Sequence, residues 1–395
     1  MIKKSTFPSI ALIRVDYNIP IKNETLLDLN RIEASIPTIQ HFLKQKKKIV
    51  LMSHFGRPKG RDSNYSLRKL IPAIEKLLKR KVSFVPDITE SSASIIRENN
   101  SAIVLLENLR FYSGEQTNDM EFAKQLSMYG DIYINDAFGV SHRNHASVSA
   151  ITKFFPNKNY KGLLLERELK ELKKLKNNNI EPYTIIVGGS KIGSKIHMLK
   201  SFLNVADNII IGGGMAFPFI KHLGGGIGNS ICQESELEVV KDFLHKAKQS
   251  KTKLSLPKDC LITNNLQKKT NQSYVSISNI PAEYIGVDIG PKTIRLFSNI
   301  ISDSKLIMWN GPMGISEVDE YSQGSRDIAD IIVKTTKRGS YSLLGGGDTI
   351  SDISRFGLKK KFSYISTGGG AMLDFFKNEN LPGTKDLESI TKLDF

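Results

Sequence analysis

Six cationic side chains in the first 150 residues, Arg31, His54, Arg57, Arg110, His142 and Arg143, carry the clearest chemical signal in that half of the chain. Guanidinium groups hold carboxylate and phosphate in bidentate geometry, so such a set suits a small, multiply anionic molecule. Five of the six stand at or just beyond the end of a short apolar run. The runs Ile10 to Val15, Ile49 to Met52, Ala102 to Leu106 and Ile132 to Ile134 read as buried strands. A parallel sheet collects its strand ends along one edge, where ligands of open α/β sheets bind. Membership of one sheet would therefore bring these charges to one cleft.

The second half signals through glycine. Gly188 and Gly189, Gly212 to Gly214, Gly345 to Gly347 and Gly368 to Gly370 each follow an apolar run. Glycine at a strand-to-helix turn lets backbone N–H groups approach an anion, and the new helix offers its positive end. Four such turns point to a nucleotide cleft. The stretch Gly188 to Lys195 is not a P-loop, because Ser194 precedes Lys195 where that motif needs Lys before Ser or Thr. Lys191 and Lys195 are four apart and would stack on one helix face near its N-terminus. Asp348 reads either as a helix N-cap or, with phosphates beside it, as a Mg²⁺ ligand. Glu317 could accept hydrogen bonds from ribose hydroxyls.

Strand and helix alternate with short connections nearly throughout, which predicts a doubly wound parallel sheet in each half. One helix runs from Arg31 through Ile32, Ile36, Ile39 and Phe42, and Ser66 caps another carrying Leu67, Leu70, Ile71, Ile74, Leu77 and Leu78. Further strands are Thr184 to Val187, Asn208 to Ile211, Lys305 to Trp309, Ser342 to Leu344 and Ser363 to Ser366. Leu165, Leu169, Leu172 and Leu175 form one stripe from Leu163 to Lys176, a connecting helix that ends in an Asn-rich loop. The expected organisation is a first domain over 1–165, a helix and linker over 166–180 and a second domain over 181–380, with the tail 381–395 returning to the first.

At 395 residues the chain is too long for one ordinary core. Lys+Arg 56 against Asp+Glu 40 leaves +16, but the lysines are scattered along helical segments, which argues for a solvated basic surface and no nucleic-acid partner. The run Lys46 to Lys48 complements the dipole of the helix before it. Two cysteines without a CxxC pair suit a reducing, cytoplasmic setting, and no run approaches the ~20 apolar residues of a membrane span.

The motifs VDYN at Val15 to Asn18, SHFGRPKG at Ser53 to Gly60, LLENLRF at Leu105 to Phe111, NDAFG at Asn135 to Gly139, WNGPMG at Trp309 to Gly314, GGGDT at Gly345 to Thr349 and STGGGA at Ser366 to Ala371 stand in one order along the chain. Together they resemble phosphoglycerate kinase over essentially its whole length. The resemblance implies two Rossmann-like domains with a cleft between them and hinge-bending closure. It also implies a cytoplasmic, monomeric glycolytic enzyme that moves a phosphoryl group reversibly from 1,3-bisphosphoglycerate to MgADP, giving 3-phosphoglycerate and MgATP. The family's acid site carries over to Asp16, Tyr17, Asn18, Arg31, His54, Phe55, Gly56, Arg57, Arg110 and Arg143. Its nucleotide site carries over to Lys195, Gly213, Asn310, Pro312, Glu317, Gly346, Gly347, Asp348 and Thr349. Arg31, Lys191 and Lys195 match the catalytic cations, and Asp348 matches the magnesium ligand. His142 keeps only a supporting place. Ser190 and Ser194 depart from the usual residues, and Pro218 falls inside a helix at the adenine wall, where an interior proline kinks the helix.

Two rival readings predict other sequence features. A dinucleotide-dependent dehydrogenase needs G-x-G-x-x-G opening a helix with an acidic residue ~20 positions later, and no such arrangement stands out. A nucleic-acid-binding protein needs clustered, aromatic-interleaved charge.

Overall fold

A computed structural model of the chain describes residues 9–19, 21–22, 25–26, 29–176, 180–190, 192–193, 195–267 and 271–392. Lys191 and Ser194 lie outside them. The chain divides into two compact units, one of Met1–Lys170 with Asn378–Phe395 and one of Glu171–Lys377.

The first unit is built on a seven-stranded parallel sheet in the order Glu388–Ser389, Asn159–Lys161, Ile132–Asn135, Ile10–Arg14, Lys48–Met52, Ile103–Leu106 and Ser83–Val85. Its central strands are buried along their whole length, which is why they read as unbroken apolar runs. Four strands whose ends carry the predicted cations are consecutive neighbours. Arg14 lies across from Met52 on one side and Asn135 on the other, so those strands end level with one another.

Unit two has a six-stranded parallel sheet in the order Lys253–Ser255, Asn208–Ile211, Tyr183–Val187, Leu306–Asn310, Tyr341–Gly345 and Tyr364–Ile365. The glycine-bearing ends are again adjacent. Strict alternation fails between Asp259 and Ile289, where Ser273–Ser276, Asp259–Thr263 and Ile285–Ile289 pair antiparallel.

Three local expectations change. Ser66 caps a 3₁₀ turn, Leu67–Leu70, and the α-helix starts only at Ile71–Leu78, because Pro72 has no N–H and is suited to a first turn. Pro218 sits in the first turn of Ala216–His222, not in a helix interior as expected, and backbone N–H groups there have no helical partner in any case, so it removes no helical hydrogen bond. In the run Lys46 to Lys48, Lys48 opens a strand, is fully buried and donates to Ile96 and Asn99 carbonyls at the end of Glu90–Glu98. It therefore serves a different helix from the one that precedes it.

The helix Leu163–Lys176 forms as read, with Leu165, Leu172 and Leu175 fully buried. The tail is tied to the first unit. Asn135 Nδ2 donates to the Gly383 carbonyl at 2.6 Å, Ile390 N donates to Glu166 Oε1 at 2.9 Å, and Ile390 is completely buried in that unit's core. Ile390→Ala should lower the stability of the first unit by about 2–5 kcal/mol, as buried Ile→Ala changes do. Urea unfolding followed by a probe in that unit checks this.

Candidate active site

The strand-end cations of the first unit do converge. Burial is the largest cause holding the His54 imidazole well below its ordinary range, followed by the charges of Arg14, Arg110, Arg143 and Arg31. His54 is thus neutral, with four guanidinium groups around it. Arg110 is pushed down to about 10 by burial, then by Arg143 and Arg14, with Arg57 adding and Glu115 opposing. Arg143 is lowered by burial and by Arg57 and Arg14, against the pull of Asp16. Five guanidinium groups therefore share one place, and the carboxylates facing them are Asp16 and Glu115.

Backbone and side chains hold this cluster open. Arg31, in the first turn of Asn30–Lys44, pairs with Asp16 Oδ2 at 2.6 Å and remains a third exposed. Asn18 Oδ1 accepts from Gly56 N at 2.9 Å, which fixes the turn before exposed Arg57. Arg110 donates through Nη1 to the Gly56 carbonyl, while its buried Nε has no hydrogen-bond partner among the described residues. A buried donor left over beside several cations is what an anion would satisfy.

Two predicted site residues place their side chains elsewhere. Tyr17 is fully buried, with its hydroxyl 2.9 Å from Ser35 Oγ, so it offers the site only backbone. Phe55 packs in the core, and its backbone N and O are both held by Asn108. The reverse error is Arg14, which ends an apolar strand and reads there as part of it. Arg14 and Glu115 are both fully buried and lie 3.8 Å apart.

In the second unit the glycine turns touch one another. Gly213 has φ +58°, and a Cβ there would stand 2.6 Å from Pro312 O and 2.7 Å from Gly189 N. Gly311, at φ +103°, would press a Cβ to 2.2 Å from Gly188 O. No larger residue fits either turn. Lys195 Nζ donates to Gly188 O at 2.6 Å and Asn310 O at 3.3 Å, and burial pulls it down to about 8 despite Asp348 nearby. Its helix, Ile196–Phe202, begins beyond both lysines, so Lys195 occupies the N-cap position and the expected stacking of Lys191 and Lys195 on one helix face does not hold.

Asp348 is not an N-cap. Gly346 takes that place, at φ +92°, and Asp348 follows inside the first turn of Gly347–Arg355. Its exposed carboxylate makes no hydrogen bond among the described residues and borders a cavity of about 510 Å³ that Gly213, Pro312 and Glu317 also line. Thr349 is buried beneath the turn and accepts from Gly311 N at 2.7 Å. Buried Asn310 Nδ2 is a second donor with no partner among the described residues. The cavity's apolar wall comes from Phe217, Ile231, Ile277, Ile285 and Val287, the last two on an antiparallel strand that sequence periodicity missed. Apolar residues carry no chemical mark, so nothing in the sequence singled them out.

A small anion on one unit and a phosphate-bearing, partly apolar ligand on the other fit a phosphotransferase. The family model of phosphoglycerate kinase matches residues 8–379. The structure is similar to that of phosphoglycerate kinase from Coxiella burnetii, at TM-score 0.82 and 32% identity, covering 98% of this chain and 97% of that one. It is also similar to phosphoglycerate kinase from Pyrococcus horikoshii OT3, at TM-score 0.83 and 27% identity, covering 96% and 95%. The chain belongs to the phosphoglycerate kinase family, glycolytic enzymes that transfer a phosphoryl group reversibly between 1,3-bisphosphoglycerate and ADP.

Proposed function

We propose that His54, Arg57, Arg110 and Arg143, with Asp16 and Asn18 ordering the loop, hold the acid, and that Arg31 faces the phosphoryl group in flight. The observation that supports this most is the surplus of guanidinium charge around neutral His54. A bound phosphate and carboxylate would offset that repulsion and fill the open valence of Arg110 Nε. The attacking group in the ATP-forming direction is an ADP phosphate oxygen, and in reverse a carboxylate. Both are ionised at neutral pH, so positioning and charge neutralisation do the catalysis and no general base is needed.

Lys195, already anchored at two strand ends, offers its ammonium to the transferring oxygens, as does Lys191 by its match to the family. The N–H groups of Gly346, Gly347 and Thr349 open a helix toward the nucleotide phosphates, and Glu317 takes the ribose. Asp348 suits Mg²⁺: its carboxylate is unengaged, and no group of three His, Cys, Asp or Glu able to hold a metal occurs among the described residues. Mg²⁺ takes one or two carboxylates and completes its shell with phosphate oxygens and water. When bound, it would neutralise nucleotide phosphate charge.

Transfer also requires the acid and the nucleotide to meet in a site closed to water, so hinge-bending closure of the two units belongs to this reading. We place the enzyme in the cytoplasm as a monomer, as the family resemblance implies; both cysteines are free thiols. No helix of the described residues is long and apolar enough to cross a membrane.

Arg31→Ala should lower kcat about a hundredfold, the ~3 kcal/mol typical of one preorganised donor, whereas Arg143→Ala should chiefly raise KM for the acid. A coupled assay of 3-phosphoglycerate-dependent ATP consumption separates these effects, and an unchanged kcat in Arg31→Ala overturns the assignment. Lys195 should impose an alkaline limb. In the free enzyme it is charged below pH about 8 and neutral above it, so affinity for nucleotide phosphate falls as pH rises through that value. In Lys195→Arg the limb should vanish from the pH profile of kcat/KM for nucleotide.

A further inference from the structure

Arg14 has no direct place in the acid site, yet it is tied to it. The residue ends a central strand, is completely buried, and spends its donors inward. Nε donates to Ser147 Oγ at 2.9 Å, Nη1 donates to the Val15 carbonyl, and Nη2 lies 3.1 Å from His54 Nδ1. A guanidinium has five N–H donors and no acceptor, so at that last contact the imidazole nitrogen must accept. A neutral ring accepting at Nδ1 carries its proton on Nε2.

The arrangement behind Arg14 is equally complete. Glu115 is fully buried, accepts from Ser147 N at 3.0 Å and Ser147 Oγ at 2.7 Å, and lies near Arg14 Nη2 and, at 3.7 Å, His145 Nδ1. Burial would raise its carboxyl, but His145, Arg14 and Ser147 together hold it below the ordinary range. Buried Tyr133 borders the same pair and donates its hydroxyl to the Ser147 carbonyl. One carboxylate thus balances the one guanidinium that faces away from the ligand.

We propose that Arg14 is a positioning residue, which, held by Glu115 and Ser147, locks His54 as the neutral Nε2–H tautomer and so presents a single ring donor to the acid. His54 Nε2 has no hydrogen-bond partner among the described residues, consistent with a donor kept for ligand. The charged groups facing His54 are Arg14, Arg110, Arg143 and Arg31, all cationic, so none favours an imidazolium. The benefit of a neutral donor is directional. An imidazolium would need acceptors at both nitrogens, and one is occupied by a donor.

The proposal rests on the acid occupying this cluster, but the tautomer is measured without substrate, so the two can fail separately. Nitrogen-15 and proton correlation spectra of the His54 ring, from pH 5.5 to 8, should show the proton on Nε2 and no titration. Arg14→Met should release the ring to titrate or to mix tautomers, add an acid limb to kcat/KM, and raise KM for 3-phosphoglycerate at least tenfold with a much smaller change in kcat. Where lone Glu115 prevents that variant from folding, Arg14→Met with Glu115→Gln removes both charges and carries the same expectation. Wild-type His54 with its proton on Nδ1, or titrating near its ordinary value, overturns the proposal. So does a folded variant that keeps the Nε2–H form without titration. Should neither variant fold, the wild-type spectrum alone decides.

Discussion

Four guanidinium groups gathered around one buried, neutral histidine, with a fifth, Arg57, acting on two of them, cost the protein free energy that its own carboxylates do not return. Like charges a few ångströms apart repel by several kcal/mol where water is scarce. The parallel sheet of the first unit sustains the arrangement. Its strands are buried on both faces, so their apolar contacts fix where each strand ends regardless of what charge follows. On the proposed assignment, a polyanionic acid bound there would relieve that repulsion. Asp16 and Glu115 take up enough of it to keep the site folded, one beside Arg31 at the ligand face and the other behind Arg14.

The nucleotide unit solves a complementary problem with backbone. On the proposed assignment the anion would meet N–H groups at adjacent strand-to-helix turns, and those turns touch. Gly213 against Pro312 and Gly311 against Gly188 leave no room for a side chain. Lys195 is the exception that carries charge, and the two carbonyls that orient it also bury it. That burial makes its protonation responsive near pH 8. Asp348 stays exposed and unengaged nearby, as the proposed Mg²⁺ ligand should.

Much of this was legible because the residues are conspicuous. Arg110 and Arg143 follow closely on apolar runs, and glycine triplets after apolar runs have few other uses. What the sequence concealed depends on long-range partners. Arg14 sits at the end of an apolar run, and its meaning comes from Ser147 and Glu115, more than 100 positions away. Lys48 belongs to a lysine run but is buried against the end of a helix far along the chain. Tyr17 lies within a recognisable motif, yet its ring packs in the core and its hydroxyl meets Ser35. The apolar wall around Ile285 and Val287 was hidden for another reason. Antiparallel strands of four or five residues between irregular loops leave too little periodicity to tell from the helical pattern around them.

If the first unit carries unrelieved positive charge which the acid neutralises, the unfolding free energy of that unit must depend on 3-phosphoglycerate concentration in the absence of nucleotide. Stability should rise by about 2.7 kcal/mol at an acid concentration a hundredfold above the low-salt Kd, and by less at that same concentration as salt screens the cluster and raises Kd. A first unit whose stability is indifferent to the acid, in protein that still binds nucleotide, would contradict it.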